Sequence, residues 1–166
     1  MQRTLGIFTA LVLVLAALCL PAGRSEAAGL QDADFSCRGA MLGASEAELF
    51  KAWGEPLFDR TEIRQGVTVK VYVYKDHYEA AVDKSGHVVD FLIKNDRYEA
   101  RNGIRLGATS YWIQKTYGKT ERQRLDGAAY YIYTREGHPH DHLLFGVDVQ
   151  DGYMTSMRIT SLPVTE

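Results

Sequence analysis

Leu42-Gly43-Ala44-Ser45-Glu46-Ala47-Glu48-Leu49-Phe50-Lys51-Ala52-Trp53-Gly54 has a counterpart in Leu106-Gly107-Ala108-Thr109-Ser110-Tyr111-Trp112-Ile113-Gln114-Lys115-Thr116-Tyr117-Gly118. The offset is 64 throughout, and five of the thirteen positions are identical. Each stretch has the chemistry of a short capped helix. Ser45 or Thr109 can accept a hydrogen bond from an unpaired backbone N–H at the helix start, and Ser45 with Glu48 makes a capping-box pattern. Gly54 and Gly118 stand where a left-handed residue ends the helix. So short a helix is marginal alone. Its apolar stripe (Leu49, Ala52 and Trp53; then Ile113, Thr116 and Tyr117) must pack on something.

Downstream of each helix the sequence has a period of two. Val67 to Tyr74 alternates four Val with Thr, Lys, Tyr and Tyr, the pattern of a strand with two unlike faces. Residues 80–82 and 88–93 read as a hairpin around Asp83-Lys84-Ser85-Gly86. In the second copy Tyr130 to Tyr133 is a strand, and residues 143–149 and 153–159 form a hairpin around Gln150-Asp151-Gly152. Gly86 aligns with Gly152 and Ile93 with Ile159 at an offset of 66. The fold class these elements define is α+β. It is built from two tandem repeats, each a short helix and a three- to four-stranded antiparallel sheet, joined into one curved unit. Repeat 1 occupies residues 41–95; a polar connector and repeat 2 occupy 96–166. Residues 28–40 read as a polar lead-in.

Residues 1–27 read as an export signal. Arg3 precedes an apolar run from Leu5 to Leu20, Pro21 and Gly23 break it, and Ser25-Glu26-Ala27 offers small residues for cleavage after Ala27. The run of about 16 residues is short of the ~20 that span a bilayer; an uncleaved anchor is the alternative. Leu18 before Cys19 does not suit lipidation. Cleavage leaves Cys37 as the one cysteine, either an exposed thiol that pairs between chains or a buried small residue. The expected location is periplasmic or extracellular, with no stable membrane insertion after cleavage.

Composition excludes some functions. With 19 basic and 21 acidic residues the net charge is −2, so nothing favours nucleic acid. Ten Tyr, six Phe and two Trp with four Pro describe a folded chain rather than a disordered one.

The Leu-Gly-x-[Ser/Thr] start, the short helix ending in Gly and the aromatic hairpins resemble the tandem repeat of β-lactamase inhibitor proteins. They are also similar to the related outer-membrane-assembly lipoprotein domain (SmpA/OmlA) and to the tandem extracellular modules associated with CAP-type secreted domains. The resemblance covers residues 40–160. It implies a tandem α+β fold and an exported, inhibitor-like or binding role. The chain departs from the first by lacking cysteines for disulfides within the repeats, and from the second by lacking a lipidation signal, so neither specific activity is carried over.

Aligning the two first strands sets Tyr72 with Tyr131 and Tyr74 with Tyr133. If the valines face the core, all four phenols project from the uncovered side of the sheet, joined there by Asp90 and Arg158. Tyr gives large contact area at low entropic cost, so this face is the expected binding surface for a protein or cell-envelope partner; rings fitted to a half-exposed sheet or under a loop are the plainer reading. A second candidate is His138, His140 and His142, which share one side of an extended stretch and suit a metal such as Zn, Cu or Ni, against a solvated hairpin loop. No nucleophile elbow, zinc-protease helix, phosphate loop or dinucleotide fingerprint occurs. The pairs His77 with Glu79 and His87 with Asp90 are too ordinary to name as acid and base. The expectation is a non-enzymatic module with no catalytic residues and no cofactor.

Overall fold

The computed structural model describes residues 29–164; the signal segment 1–27 lies outside them. A 3-10 turn (Asp32–Phe35) leads into two-residue strands β1 (Ser36–Cys37) and β2 (Ala40–Met41) and helix α1 (Glu46–Trp53). Then come β3 (Phe58–Arg64), β4 (Val67–Tyr74), β5 (Tyr78–Val82) and β6 (Val88–Ile93). Helix α2 (Ser110–Tyr117) is followed by β7 (Arg122–Leu125), β8 (Ala128–Arg135), β9 (His138–Val147) and β10 (Met154–Thr160). The architecture is α+β, with one eight-stranded antiparallel sheet in the order β3-β4-β5-β6-β10-β9-β8-β7.

Both helices form where the caps place them. Ser45 Oγ accepts from the Glu48 N–H at 3.3 Å, and the Glu48 carboxylate accepts from the Ser45 N–H at 2.8 Å. Thr109 Oγ1 accepts from the Trp112 N–H at 3.3 Å. Gly54 and Gly118 end the helices at φ 78° and 104°, a region that a side chain strains.

β3 and β7 are elements that the sequence reading did not locate. Each is joined to the next strand by a two-residue turn with both φ positive, Gln65-Gly66 (46°, 78°) and Asp126-Gly127 (50°, 77°). That is the turn geometry matched to sheet twist.

The four tyrosines lie on the opposite face from the one expected. Tyr72 and Tyr74 are 2% and 5% exposed, and Tyr131 and Tyr133 are each 8% exposed, within the main core. Phe50 of α1 meets Tyr72 edge-on at 5.0 Å, Trp53 meets Tyr74 at 5.0 Å, and Tyr117 of α2 lies 5.6 Å from Tyr133. The reason is depth. A helix resting on a sheet leaves more space than a row of valines fills, and long rings occupy it. The valines take the other face, where Val69, Val71 and Ala81 pack with Leu162, while Leu125, Ile132 and Leu144 pack with Val164. Residues 161–164 thus cover both apolar patches of that face.

The lead-in is folded too. Phe35 and Cys37 are fully buried, and Cys37 O accepts from Trp53 Nε1 at 2.8 Å. Burial pushes the Cys37 thiol up to about 12, so of the two readings of this cysteine the structure takes the buried one.

Candidate functional site

The helix-free face carries a cluster of charge. Facing residues of paired strands share a sheet face: Arg60 with Val71, Val71 with Ala81, Ala81 with Asp90. Along the next row Val73 faces Glu79, Glu79 faces Leu92 and Leu92 faces Arg158. Asp90 and Arg158 therefore lie on this face, opposite the tyrosines with which the sequence reading grouped them.

Curling of the sheet brings its outer hairpins inward. Arg64, at the end of the edge strand, reaches Asp90 on the central strand β6 at 2.5 Å, and also Glu79 and Glu62 at 2.5 Å each. Arg158 Nε donates to Asp90 at 3.0 Å, and its Nη2 donates to Gln65 Oε1 at 3.1 Å. Gln65 Nε2 donates to Asp126, so the tips of the two outermost hairpins touch across the face. Arg60 completes the cluster through Glu62 at 2.7 Å and Glu79 at 3.1 Å.

Asp90 is wholly buried. A carboxylate in that position is costly unless held by counter-charges, and two guanidiniums supply them. Burial alone would lower the pKa of Arg64, but the pull of Asp90, Glu62 and Glu79 outweighs it and carries the group above the ordinary guanidinium range. Burial would likewise raise Glu62, and its bonds to Arg64 and Arg60 bring it below the usual carboxylate value.

Above these side chains is a cleft of about 410 Å³, with Lys94 and Tyr130 also on its walls. Gly146 makes room beneath Tyr130. A methyl group there would lie 3.1 Å from the tyrosine ring and collide with Ser156 Oγ. The cleft offers alternating fixed charges beside an aromatic ring and the exposed Ile63, an arrangement suited to holding polar groups of a partner. A wider groove of about 690 Å³ runs between the β1–β2 turn and α1. Two of its charges are engaged locally, Glu48 in the helix cap and Arg38 over the rings of Trp53 and Tyr78.

The three histidines do not converge. His138 and His140 are exposed, whereas His142 is buried with Nδ1 3.0 Å from Thr134 Oγ1. A register shift between Thr134 and Arg135 breaks the regular alternation beside them. Among the described residues no group of three or more His, Cys, Asp or Glu side chains is placed to hold a metal. The carboxylates considered with His77 and His87 are bound to arginines instead, Glu79 to Arg60 and Arg64, Asp90 to Arg64 and Arg158.

The sequence reading missed Arg60, Glu62 and Arg64 because they lie on a strand it did not locate. The Gln65-Gly66 turn was the available signal.

No family model and no curated protein matches the chain. Solved structures share its fold. An extracellular protein containing a SCP domain from Bacillus anthracis superposes with a TM-score of 0.52 at 12% identity, covering 72% of this chain and 43% of that one. The uncharacterized protein yfeY from Escherichia coli superposes with a TM-score of 0.53 at 15% identity, covering 76% of this chain and 97% of that one. This chain thus spans less than half of the first protein. At such identities the likeness is one of fold. The first of these is in line with the resemblance to modules of CAP-type extracellular proteins. No helix among the described residues is long and apolar enough to cross a membrane.

Proposed function

We propose that this chain is an exported, non-catalytic binding module that takes up a protein or cell-envelope partner on the helix-free face of its sheet. The observation that carries the reading is the charge-lined cleft over Asp90 and Arg158, to which two hairpins bring side chains far apart in sequence. Concave sites with a few convergent polar groups are the usual places for ligands. Export rests on the signal pattern of residues 1–27.

The same reading makes residues 41–95 and 96–166 two copies of one unit. Three backbone bonds recur in both halves: Gly43 N–H to Val88 O and Gly107 N–H to Met154 O; Val88 N–H to Ala44 O and Met154 N–H to Ala108 O; Glu46 N–H to Gly86 O and Ser110 N–H to Gly152 O. The mirrored strand order about the β6–β10 seam supports it as well. Kinship with the β-lactamase inhibitor and assembly-lipoprotein repeats is part of this proposal.

Capture from the native envelope tests the reading. Lys94→Glu combined with Tyr130→Ala changes the walls of the cleft and leaves its buried arginines in place. Recovery of the bound component should fall at least tenfold while the melting temperature stays within a few degrees. Undiminished capture would place the binding surface elsewhere.

A further inference from the structure

We infer that β3 is a docking edge for a second copy of this chain, the two β3 strands pairing antiparallel about a twofold axis through Thr61. The inference does not require a ligand in the cleft, although Arg60, Glu62, Ile63 and Arg64 of β3 also line it.

The two edges of the sheet are treated differently. β7 has four residues, Arg122-Gln123-Arg124-Leu125, a short stretch with two like charges. Its shortness blunts that edge against pairing; charge does not separate the two edges, since β3 carries Asp59, Arg60, Glu62 and Arg64. β3 has seven residues, no Pro or Gly, and pairs with β4 from Phe58 to Arg64 without a register break. Three other pairings of the sheet do contain breaks. Among the described residues β3 pairs with β4 alone. β3 and the residue before it carry exposed apolar side chains, with Leu57 at 58%, Phe58 at 55% and Ile63 at 73% exposure.

The charges on β3, paired within the chain as Arg60–Glu62 and Arg64–Glu62, discriminate between the registers a second copy can take. Residues that face each other across a ladder must lie on the same sheet face. A twofold axis perpendicular to the sheet therefore passes through a residue, not between two. Thr61 is the midpoint of the strand, so an axis there pairs all seven residues. Arg60 then lies opposite the second copy's Glu62, and Glu62 opposite its Arg60. Phe58 faces the second copy's Arg64, and Thr61 meets its own copy, a favourable cross-strand pair. An axis through Arg60 or Glu62 would instead set like charges against each other. The Arg60 and Glu62 side chains keep 37% and 31% exposure, so both remain reachable.

Light scattering across a concentration series and disulfide cross-linking, with three variants, decide the matter. Thr61→Lys puts a cation against itself on the axis at an exposed position, and dimerisation should weaken at least tenfold while the melting temperature of the dilute monomer stays unchanged. Thr61→Cys should form a 61–61 disulfide under mild oxidation, since facing residues of antiparallel strands stand about 4.5–5.5 Å apart. Asp59→Cys should not, because its own copy would be four residues along, about 13 Å away. Peptide mapping identifies the linked pair. A monomer at every concentration, a dimer undiminished by Thr61→Lys, or equal cross-linking at 59 and 61 would each overturn the proposal.

Discussion

Among the described residues, the hydroxyls of Tyr72 and Tyr74 are enclosed with no hydrogen-bond partner, while that of Tyr133 donates to Gly118 O at 2.9 Å. Burial pushes the Tyr74 phenol up to about 12 and raises Tyr133 as well. A buried polar group without a partner costs its lost hydration, whereas a paired one returns about 1 kcal/mol. Removing the oxygens should therefore have opposite effects at the two kinds of site. Tyr72→Phe and Tyr74→Phe are expected to stabilise by about 1 kcal/mol each, and Tyr133→Phe to destabilise by a similar amount. Urea unfolding measures all three. Rings standing in water would give no change in any of them, so the series also tests the interior placement of the tyrosine face.

Among the elements, the β8–β9 hairpin carries a titrating group of its own. Burial lowers the pKa of the His142 imidazole beneath its ordinary 6.5, against the opposing pull of Asp141. The unfolded chain then binds more protons than the folded one as pH drops below 6.5, so folding stability falls there. The stability that His142 contributes is complete above pH 6.5 and is lost as acidification proceeds through the lower folded value. Urea midpoints measured from pH 7.5 to 5 should decline, and His142→Asn should flatten the slope in that window. An unchanged slope would assign the decline to other groups. The elements differ in how far their sequences disclosed them. α1 and α2 were legible because caps are local signals, and β4, β6, β8 and β10 because alternation is local too. β3 was not, since Asp59-Arg60-Thr61-Glu62 has the composition of a solvated loop. Its arginines are instead held in part by carboxylates 15 to 26 positions away, Glu79 for Arg60 and Arg64 and Asp90 for Arg64. Alternation told which residues share a face; it did not tell which face meets the helices. That depended on ring size against the depth of the helix–sheet gap, and choosing branched residues as the interior inverted the candidate surface. Asp90 and Arg158 were legible as charged residues sharing one sheet face, while the arginines that complete their cleft depended on a curl with no local signature.

Across the whole molecule, β6 pairs with β10 at the seam between the two halves, and the lead-in bridges the same division from the helix side. Phe35 is fully buried in the main core, with the Arg135 guanidinium of β8 5.0 Å above its ring. Asp32 holds Arg135 at 2.6 Å, and Asp34 holds Arg101 of the connector. On the other side, Cys37 O takes the indole N–H of Trp53 in α1. Residues of both halves, such as Phe91, Ile93, Met157 and Ile159, belong to one continuous core. A chain so connected should unfold in a single step, because neither half can expose its seam without stripping cover from the other. Phe35→Ala removes the ring at the junction and should cost about 3–5 kcal/mol, moving the whole calorimetric transition down without splitting it. Two resolved transitions, in the parent or in the variant, would show instead that the halves hold themselves together separately and that the seam is a contact between independent units.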